Sequence, residues 1–459
     1  GVMGKLGILT GLGPVVAGSN PADPILNNKI FVQDYNYTNI FKTRLIKIFY
    51  MVEVYKIGGD ISSDPKKLEL VLDLMKKLEK QGLLVVSAMR GVTDLLMNVD
   101  PNTEGELTKK HLDFGSSLGI SRERSAEILD PVFQSIVSQN KHEVISLGER
   151  LMATLVREYF NRNGLASEIT TGFDIGLEAK RGIINKNCAA RVSRKVRKDF
   201  LDKKIFPIVT GFDGIYNGER TTLGRSGSDQ TATFLAYSLG AKAIYLLKNT
   251  RGVETANPKI VPSARNIPFL TYDMAMEAGN IQLEALQHAK TGKIPIIIGY
   301  IEDPRIRTII NSEPQSDGVK LVTGFEKCTF IEVKEIRDLP GSERKILSLF
   351  EKYGINKEMS FDTRNSVAFV VNTGLDKVEA VKSAIPYNSV RTEPCSLVMV
   401  VGNLGRGDKD SLESKVWEVC NPFSSASWTK GSIVSSIVVP RDSYKNVIRY
   451  LHKNLIEKP

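Results

Sequence analysis

The hydrophobic pattern becomes regular at Val52. Val52-Glu53-Val54-Tyr55 alternates as a short strand, and Lys56-Ile57-Gly58-Gly59-Asp60 interrupts it. Leu68, Val71, Leu72, Met75 and Leu78 then recur at helical spacing, so one face of a helix is apolar. Asp64 is placed to cap that helix, Pro65 suits its first turn, and Gly82 ends it. Leu83–Ser87 reads as a buried strand, completing a strand–helix–strand unit of the kind that builds parallel sheets. The pattern returns further on. Ile208-Val209-Thr210 is a strand, Gly211–Gly218 a polar loop, Gln230–Leu239 an apolar helix stopped by Gly240, and Ile244–Leu247 a strand. These elements predict an α/β domain over residues 51–322.

From about Phe325 the pattern changes. Thr329–Val333 reads as a strand and Leu339-Pro340-Gly341 as a turn before a helix, Ser342–Tyr353. Strands Ile355–Phe361 and Ser366–Asn372 and a helix Leu375–Ala384 complete the β-α-β-β-α order of ferredoxin-like units. A second round follows in Ser396–Val401, Lys409–Val419, Phe423–Thr429, Ser432–Pro440 and Ser443–Leu455. The expected units are residues 325–388 and 389–459. Residues 1–50 fit neither pattern. Gly7–Gly18 is glycine-rich without a period, and Val15–Pro21 resembles a conceptual translation of the 3′ half of a transfer-RNA gene. This segment is therefore expected to be a disordered, non-native upstream extension, with Met51 as the true start.

Composition adds mainly exclusions. Lys and Arg number 62 against 52 Asp and Glu, giving +10 and a pI near 9.2. Residues 1–50 hold five of those bases and two of the acids, so the remainder carries about +7. No basic patch interleaved with aromatics and no zinc-finger spacing occurs, which points to anionic small molecules rather than nucleic acid. Apolar runs such as Ile294–Ile298 and Leu397–Val401 fall short of the roughly 18 residues a membrane helix needs. The four cysteines (Cys188, Cys328, Cys395, Cys420) form no CxxC pair, and no secretory signal is read, so a cytoplasmic setting with reduced thiols is expected. The four histidines are equally scattered, and no metal site is expected from their spacing.

The candidate chemistry lies where strands end. Gly58 and Gly59 after the first strand allow backbone N–H groups close to phosphate oxygens, and Lys56 adds a point charge. An ordinary turn is the plain alternative. Ser87 and Thr93, in Ser87-Ala88-Met89-Arg90-Gly91-Val92-Thr93-Asp94-Leu95-Leu96, face the ligand crevice if the sheet is open and parallel. They can equally serve as a strand-end turn and a helix cap. Thr221-Thr222-Leu223-Gly224-Arg225-Ser226-Gly227-Ser228-Asp229 leads into a helix, an anion-binding design to which Arg225 adds a fork suited to a carboxylate. Asp229 taken alone also fits a first-turn acid favoured by the helix dipole.

That nine-residue stretch closely resembles the T-T-L-G-R-G-G-S-D signature of aspartate kinases. Lys56-Ile57-Gly58-Gly59 resembles their K-F-G-G, Val86–Leu96 their V-S-A-M-x-G-V-T-D-L-L, and Ser146-Leu147-Gly148-Glu149 their S-x-G-E. The blocks keep family order from Met51 to about Gly299. The resemblance implies an amino-acid kinase fold, a parallel-rich sheet sandwiched by helices. It implies transfer of the γ-phosphoryl group of ATP, with Mg²⁺, to the β-carboxylate of L-aspartate, opening the route to lysine, threonine and methionine. It further implies Lys56, Gly58 and Gly59 at the transferring phosphoryl group and Asp229 orienting Lys56. Arg225 would take the α-carboxylate of aspartate and Glu149 its ammonium, with hydrogen bonds from Ser87, Thr93 and Ser228.

The nucleotide half departs from that family. Its T-D-V-D-G-V-Y-T-A-D-P-R appears here as Lys248-Asn249-Thr250-Arg251-Gly252-Val253-Glu254-Thr255-Ala256-Asn257-Pro258-Lys259. The ATP-contacting lysine of G-A-K-V-L-H-P has no counterpart between Tyr272-Asp273 and Ala285-Leu286, and Asp60 and Ile61 replace a Thr-Ser pair. Either the pocket is redrawn, with Lys248 or Lys259 supplying charge beside Asn249 and Glu254, or the chain is an inactive regulatory relative. A same-fold kinase for another carboxylate is a third reading; Glu149 argues against an N-acylated acceptor. The paired C-terminal units resemble ACT domains, which implies homodimer pairing and a lysine or threonine effector, with Asn356 at a position the family uses for effectors.

Overall fold

The computed structural model describes residues 52–457 apart from 79–81, 135–139, 225, 280, 335–338, 363–364, 388, 404–427 and 431–432. The chain separates into two units, Gly1–Phe49 and Tyr50–Pro459, and all described residues belong to the second. The expected upstream extension, the expected helix Lys409–Val419 and most of the strand Phe423–Thr429 lie outside the described residues.

Eight strands form the large sheet: β1 (Glu53–Ile57), β2 (Gly82–Val86), β3 (Ser167–Thr170), β4 (Phe206–Thr210), β5 (Ala243–Lys248), β6 (Phe269–Thr271), β7 (Ile296–Tyr300) and β8 (Asp303–Asn311). Their order is β6-β8-β7-β5-β1-β2-β4-β3. From β7 to β3 every pairing is parallel, whereas β8 runs antiparallel to β7. Alternation along β1 splits the core. Val54 joins Leu83, Val85, Ile244 and Leu246 on one face; Tyr55 and Ile57 join Leu84 and Val86 on the other. Helix α1 (Pro65–Lys77) and helix α2 (Leu147–Arg162) cover the second face through Leu68, Val71, Leu151 and Met152. Helix α3 (Gly227–Leu239) and helix α4 (Leu283–Gly292) cover the first through Phe234, Leu235 and Ala289. Burial on both faces is why these strands read as apolar runs. The α1 entry follows its residues: the Asp64 carboxylate accepts the Lys66 and Lys67 N–H groups at 3.1 and 3.3 Å.

Six antiparallel strands form a second sheet: β9 (Gly318–Lys334), β10 (Lys357–Asp362), β11 (Ser366–Val371), β12 (Val390–Asn403), β13 (Trp428–Lys430) and β14 (Val434–Val439). The order is β10-β11-β9-β12-β14-β13. One end carries helices α5 (Leu339–Lys352) and α6 (Leu375–Lys382); helix α7 (Tyr444–His452) covers the other end.

The structure corrects the sequence reading at several points. The turn expected at Leu339-Pro340-Gly341 is the first turn of α5, where a proline's missing N–H costs nothing. The polar loop expected at Gly211–Gly218 is a hairpin: Asp213–Tyr216 pairs with Glu219–Thr222, and Asn217 and Gly218 at its tip both have positive φ. The domain boundaries also shift. Strand β9 crosses the expected limit at residue 322, and its first half, Gly318–Phe325, pairs with Leu397–Asn403 of β12. The second ferredoxin-like unit thus takes a strand from before the first one, which is inserted into it. The ladder changes register between Phe325 and Cys328. Just before it Gly324 has φ +156°, and a Cβ there would lie 2.0 Å from the Leu397 carbonyl oxygen.

This nesting brings α7 onto the large domain. Val447, Ile448 and Leu451 share a core with Val322, Val400 and Ile437, and with Ala256, Ile260 and Val261 of the loop after β5. Arg449 Nε donates to the Ile260 carbonyl at 3.0 Å, and His452 Nε2 lies 2.9 Å from Thr255 Oγ1.

Candidate active site

Strands β1, β2, β4 and β5 are adjacent and parallel, so their carboxyl ends lie together at the end of the sheet where parallel sheets place their ligand sites. Lys56 is the penultimate residue of β1, and its ammonium lies 2.7 Å from Asp229 Oδ1 in the first turn of α3. Both side chains are largely buried, 12% and 8% exposed. Burial raises the Asp229 carboxyl, but the charges of Lys56 and Lys248 and the Lys56 hydrogen bond outweigh it and hold the group below its ordinary value. The lysine folds back over the loop, so that a Cβ on Gly58 would sit 3.6 Å from its Nζ. Gly59 is tighter still: a Cβ there would meet the Ala88 carbonyl oxygen at 3.0 Å and the Arg90 N at 3.2 Å. The loops after β1 and β2 therefore touch at that glycine.

Glu149 lies in the first turn of α2. Gly148 lets this turn reach the β2 loop, since a Cβ there would come within 2.7 Å of Val92 and 2.8 Å of Ala88. Glu149 is buried, and its Oε2 has no hydrogen-bond partner among the described residues. Desolvation pushes its carboxyl up to about 8. Hydrogen bonds from its own N–H and that of Ala88 and the Lys56 charge oppose this, and the Asp213 charge adds to it. A buried carboxyl perturbed in this way is a functional-site candidate.

Lys248 ends β5, half-buried, and its register neighbour on β7 is Tyr300. Asn249 follows, and its side-chain oxygen is buried without a partner among the described residues. Glu254 is half-buried on the loop beyond, its carboxyl raised by burial against the pull of Arg251. Lys259 is exposed in a turn whose backbone N–H donates to the Asn257 side chain at 3.0 Å.

Ser87 follows β2, its N–H donating to the Ile57 carbonyl at 3.2 Å. Thr93 does not cap the short helix Val92–Met97: Gly91, in the left-handed region, holds the cap position. Ser228 is buried in the first turn of α3. Asp60 turns outward to an exposed ion pair with Arg90 at 3.2 Å. Arg225 lies outside the described residues. Asn356 is exposed in the second sheet's inserted unit, its carbonyl accepting the Asn372 N–H, and is not among the residues gathered at the end of the large sheet.

The sequence reading missed one feature near Glu149. Asp213 is fully buried and accepts from Thr210 Oγ1 at 2.8 Å, Gly172 N at 3.0 Å, Phe173 N at 3.4 Å and the Arg220 guanidinium. Arg220 in turn lies over the Phe173 ring, 4.7 Å from its centre. The pair pins the hairpin to the 171–174 turn. Asn217-Gly218 was the available signal, because that dipeptide favours a two-residue hairpin turn.

Residues 51–300 match the model of the amino acid kinase family. Aspartokinase 3, chloroplastic, from Arabidopsis thaliana is 24% identical, the match covering 88% of this chain and 81% of that protein. The structure of E. coli aspartokinase III in complex with aspartate and ADP superposes with a TM-score of 0.72 at 21% identity, covering 88% of this chain and 99% of that one. The same enzyme in complex with lysine and aspartate gives 0.69 at 20% identity, with the same coverage. With more than half of its residues matched by the family model, and a fold shared along nearly the full length of the solved relatives, the chain belongs to the amino acid kinase family.

Proposed function

We propose that this protein is an aspartate kinase, transferring the γ-phosphoryl group of ATP to the β-carboxylate of L-aspartate to give 4-phospho-L-aspartate and ADP. The carrying observation is the Lys56–Asp229 pair beside two glycines, with the buried Glu149 carboxyl, one of whose oxygens lacks a hydrogen-bond partner among the described residues, also acting on Lys56. The acceptor carboxylate is already ionised near neutral pH, so no general base is needed. The obstacle is an anion approaching a polyanion, and positioned positive charge lowers it. Lys56 and the Gly58 and Gly59 amides hold the γ-phosphoryl group, and Asp229 fixes the lysine's direction. Glu149 takes the substrate ammonium, Arg225 its α-carboxylate, and Ser87, Thr93 and Ser228 add hydrogen bonds. Lys248, Asn249, Glu254 and Lys259 line the nucleotide side.

Among the described residues no three His, Cys, Asp or Glu side chains gather as a metal cage. Mg²⁺ arriving with ATP would add positive charge at the phosphates. The second sheet is read as a pair of nested ACT-type units that bind lysine or threonine and pair two copies of the chain. No described helix is long and apolar enough to cross a membrane. The test is aspartyl hydroxamate formation together with coupled ADP release, with N-acetylated acceptors as controls. Phosphorylation of an acylated acceptor and not of aspartate would reject the assignment.

A further inference from the structure

Lys248 occupies a place that its strand position alone does not explain. Strands β1 and β5 pair in parallel with Lys56 opposite Leu246 and Ile57 opposite Leu247. Side chains alternate, so Leu246 and Lys248 point to the face that Lys56 points to. Lys248 stands two residues beyond Leu246 toward the carboxyl end, just past the last pair, Ile57 with Leu247, and Gly58, which has no side chain, follows Ile57 on the neighbouring strand. Helix α3 lies over this face, and its Asp229 carries the ion pair to Lys56. Among the described residues the Lys248 side chain makes no salt bridge and no hydrogen bond. Burial disfavours its charge, Asp229 supports it and Lys56 opposes it. A desolvated ammonium with only a shared carboxylate nearby is short of an anion.

We propose that Lys248 is a second catalytic cation at the transferring phosphoryl group, paired with Lys56 across Asp229, and not an anchor for the nucleotide's inner phosphates. The assignment rests on the phosphotransfer reading above and narrows it. One Asp229 charge keeps two ammonium groups close without cancelling both. An incoming γ-phosphoryl group then meets Lys56 on the β1 side and Lys248 on the β5 side. In the reaction a β-carboxylate oxygen of aspartate forms a bond to the γ-phosphorus. The bond from that phosphorus to the β,γ-bridging oxygen breaks, its electron pair leaves on ADP, and no proton moves. The charge that spreads over the transferring oxygens is what the two lysines stabilise. This also accounts for the absence of a lysine from the segment between Asp273 and Ala285.

The test compares ATP with ADP, because ADP lacks the group that Lys248 is assigned to. Calorimetry of MgATP and MgADP binding to wild type and Lys248→Met, without aspartate, gives the difference directly. The methionine keeps the aliphatic stem, and thermal melting reports whether the fold is intact. ATP affinity is expected to fall about tenfold and ADP affinity less than about twofold, a gap of about 1.0–1.4 kcal/mol. Turnover is expected to fall at least about a hundredfold, with partial recovery in Lys248→Arg. Equal weakening of ATP and ADP would make Lys248 a nucleotide anchor and overturn the proposal; so would no change in either. A wild type that binds ATP but does not phosphorylate aspartate would remove the acceptor assignment alone, leaving the ATP–ADP difference as the measure of Lys248. A wild type that binds no ATP would overturn both.

Discussion

Glu149 gives the most quantitative prediction. Its carboxyl is buried and raised to about 8 in the empty site, whereas an ammonium-binding role needs the ionised form. At pH 7 about one site in ten is then ionised, and at pH 6 about one in a hundred. Each pH unit below 8 therefore costs about 1.4 kcal/mol of aspartate binding, a factor of ten. The aspartate KM at saturating ATP should fall about tenfold from pH 6 to pH 7 and level off above about 8. The β-carboxylate of aspartate is ionised across this window, so the slope belongs to the protein. Calorimetry in two buffers of different ionisation enthalpy should find close to one proton released per aspartate bound at pH 7. Glu149→Gln should raise KM and remove the slope. A wild-type KM that is flat with pH, or an equal slope in the glutamine variant, would refute the reasoning.

The same group makes a stability prediction: its folded pKa lies above the unfolded value of 4.5, so its contribution is fully present below pH 4.5 and lost as pH rises to about 8. Glu149→Gln should accordingly raise the Tm of the ligand-free protein at pH 8 and not at pH 4.5. Lys56→Ala should lower kcat by at least about a hundredfold with little change in aspartate KM, because its charge acts where charge spreads in the transition state; kcat within twofold of wild type would exclude that role. Leu451→Ala removes a fully buried side chain of α7 that shares a core with Ile260 and Val261. It should destabilise by about 2–5 kcal/mol and raise the ATP KM by loosening the loop after β5; a lower Tm with unchanged ATP KM would limit α7 to a structural part.

The sequence by itself determined the local elements and the chemical inventory. The α1 helix, its Asp64 cap, and the strands flanking it follow from spacing and capping that need no distant partner. The glycines beside Lys56, and Gly148 before Glu149, were visible as residues, and the family order of the blocks carried the fold. Tertiary structure decided the rest, because it depends on contacts between positions far apart. Only strand register sets Lys248 on the face of Lys56, and only packing leaves it without a direct partner and Glu149 with a bare oxygen. Asp213 and Arg220 are ordinary loop residues until the 213–222 hairpin folds against the 171–174 turn and buries them. The nested second sheet was hidden for a related reason. Element order gave two consecutive units, but a long antiparallel strand can serve both, and β9 is divided by the backbone conformation at Gly324 and a register shift. Those are choices of pairing, and pairing energy is collected only once the partner strand is in place.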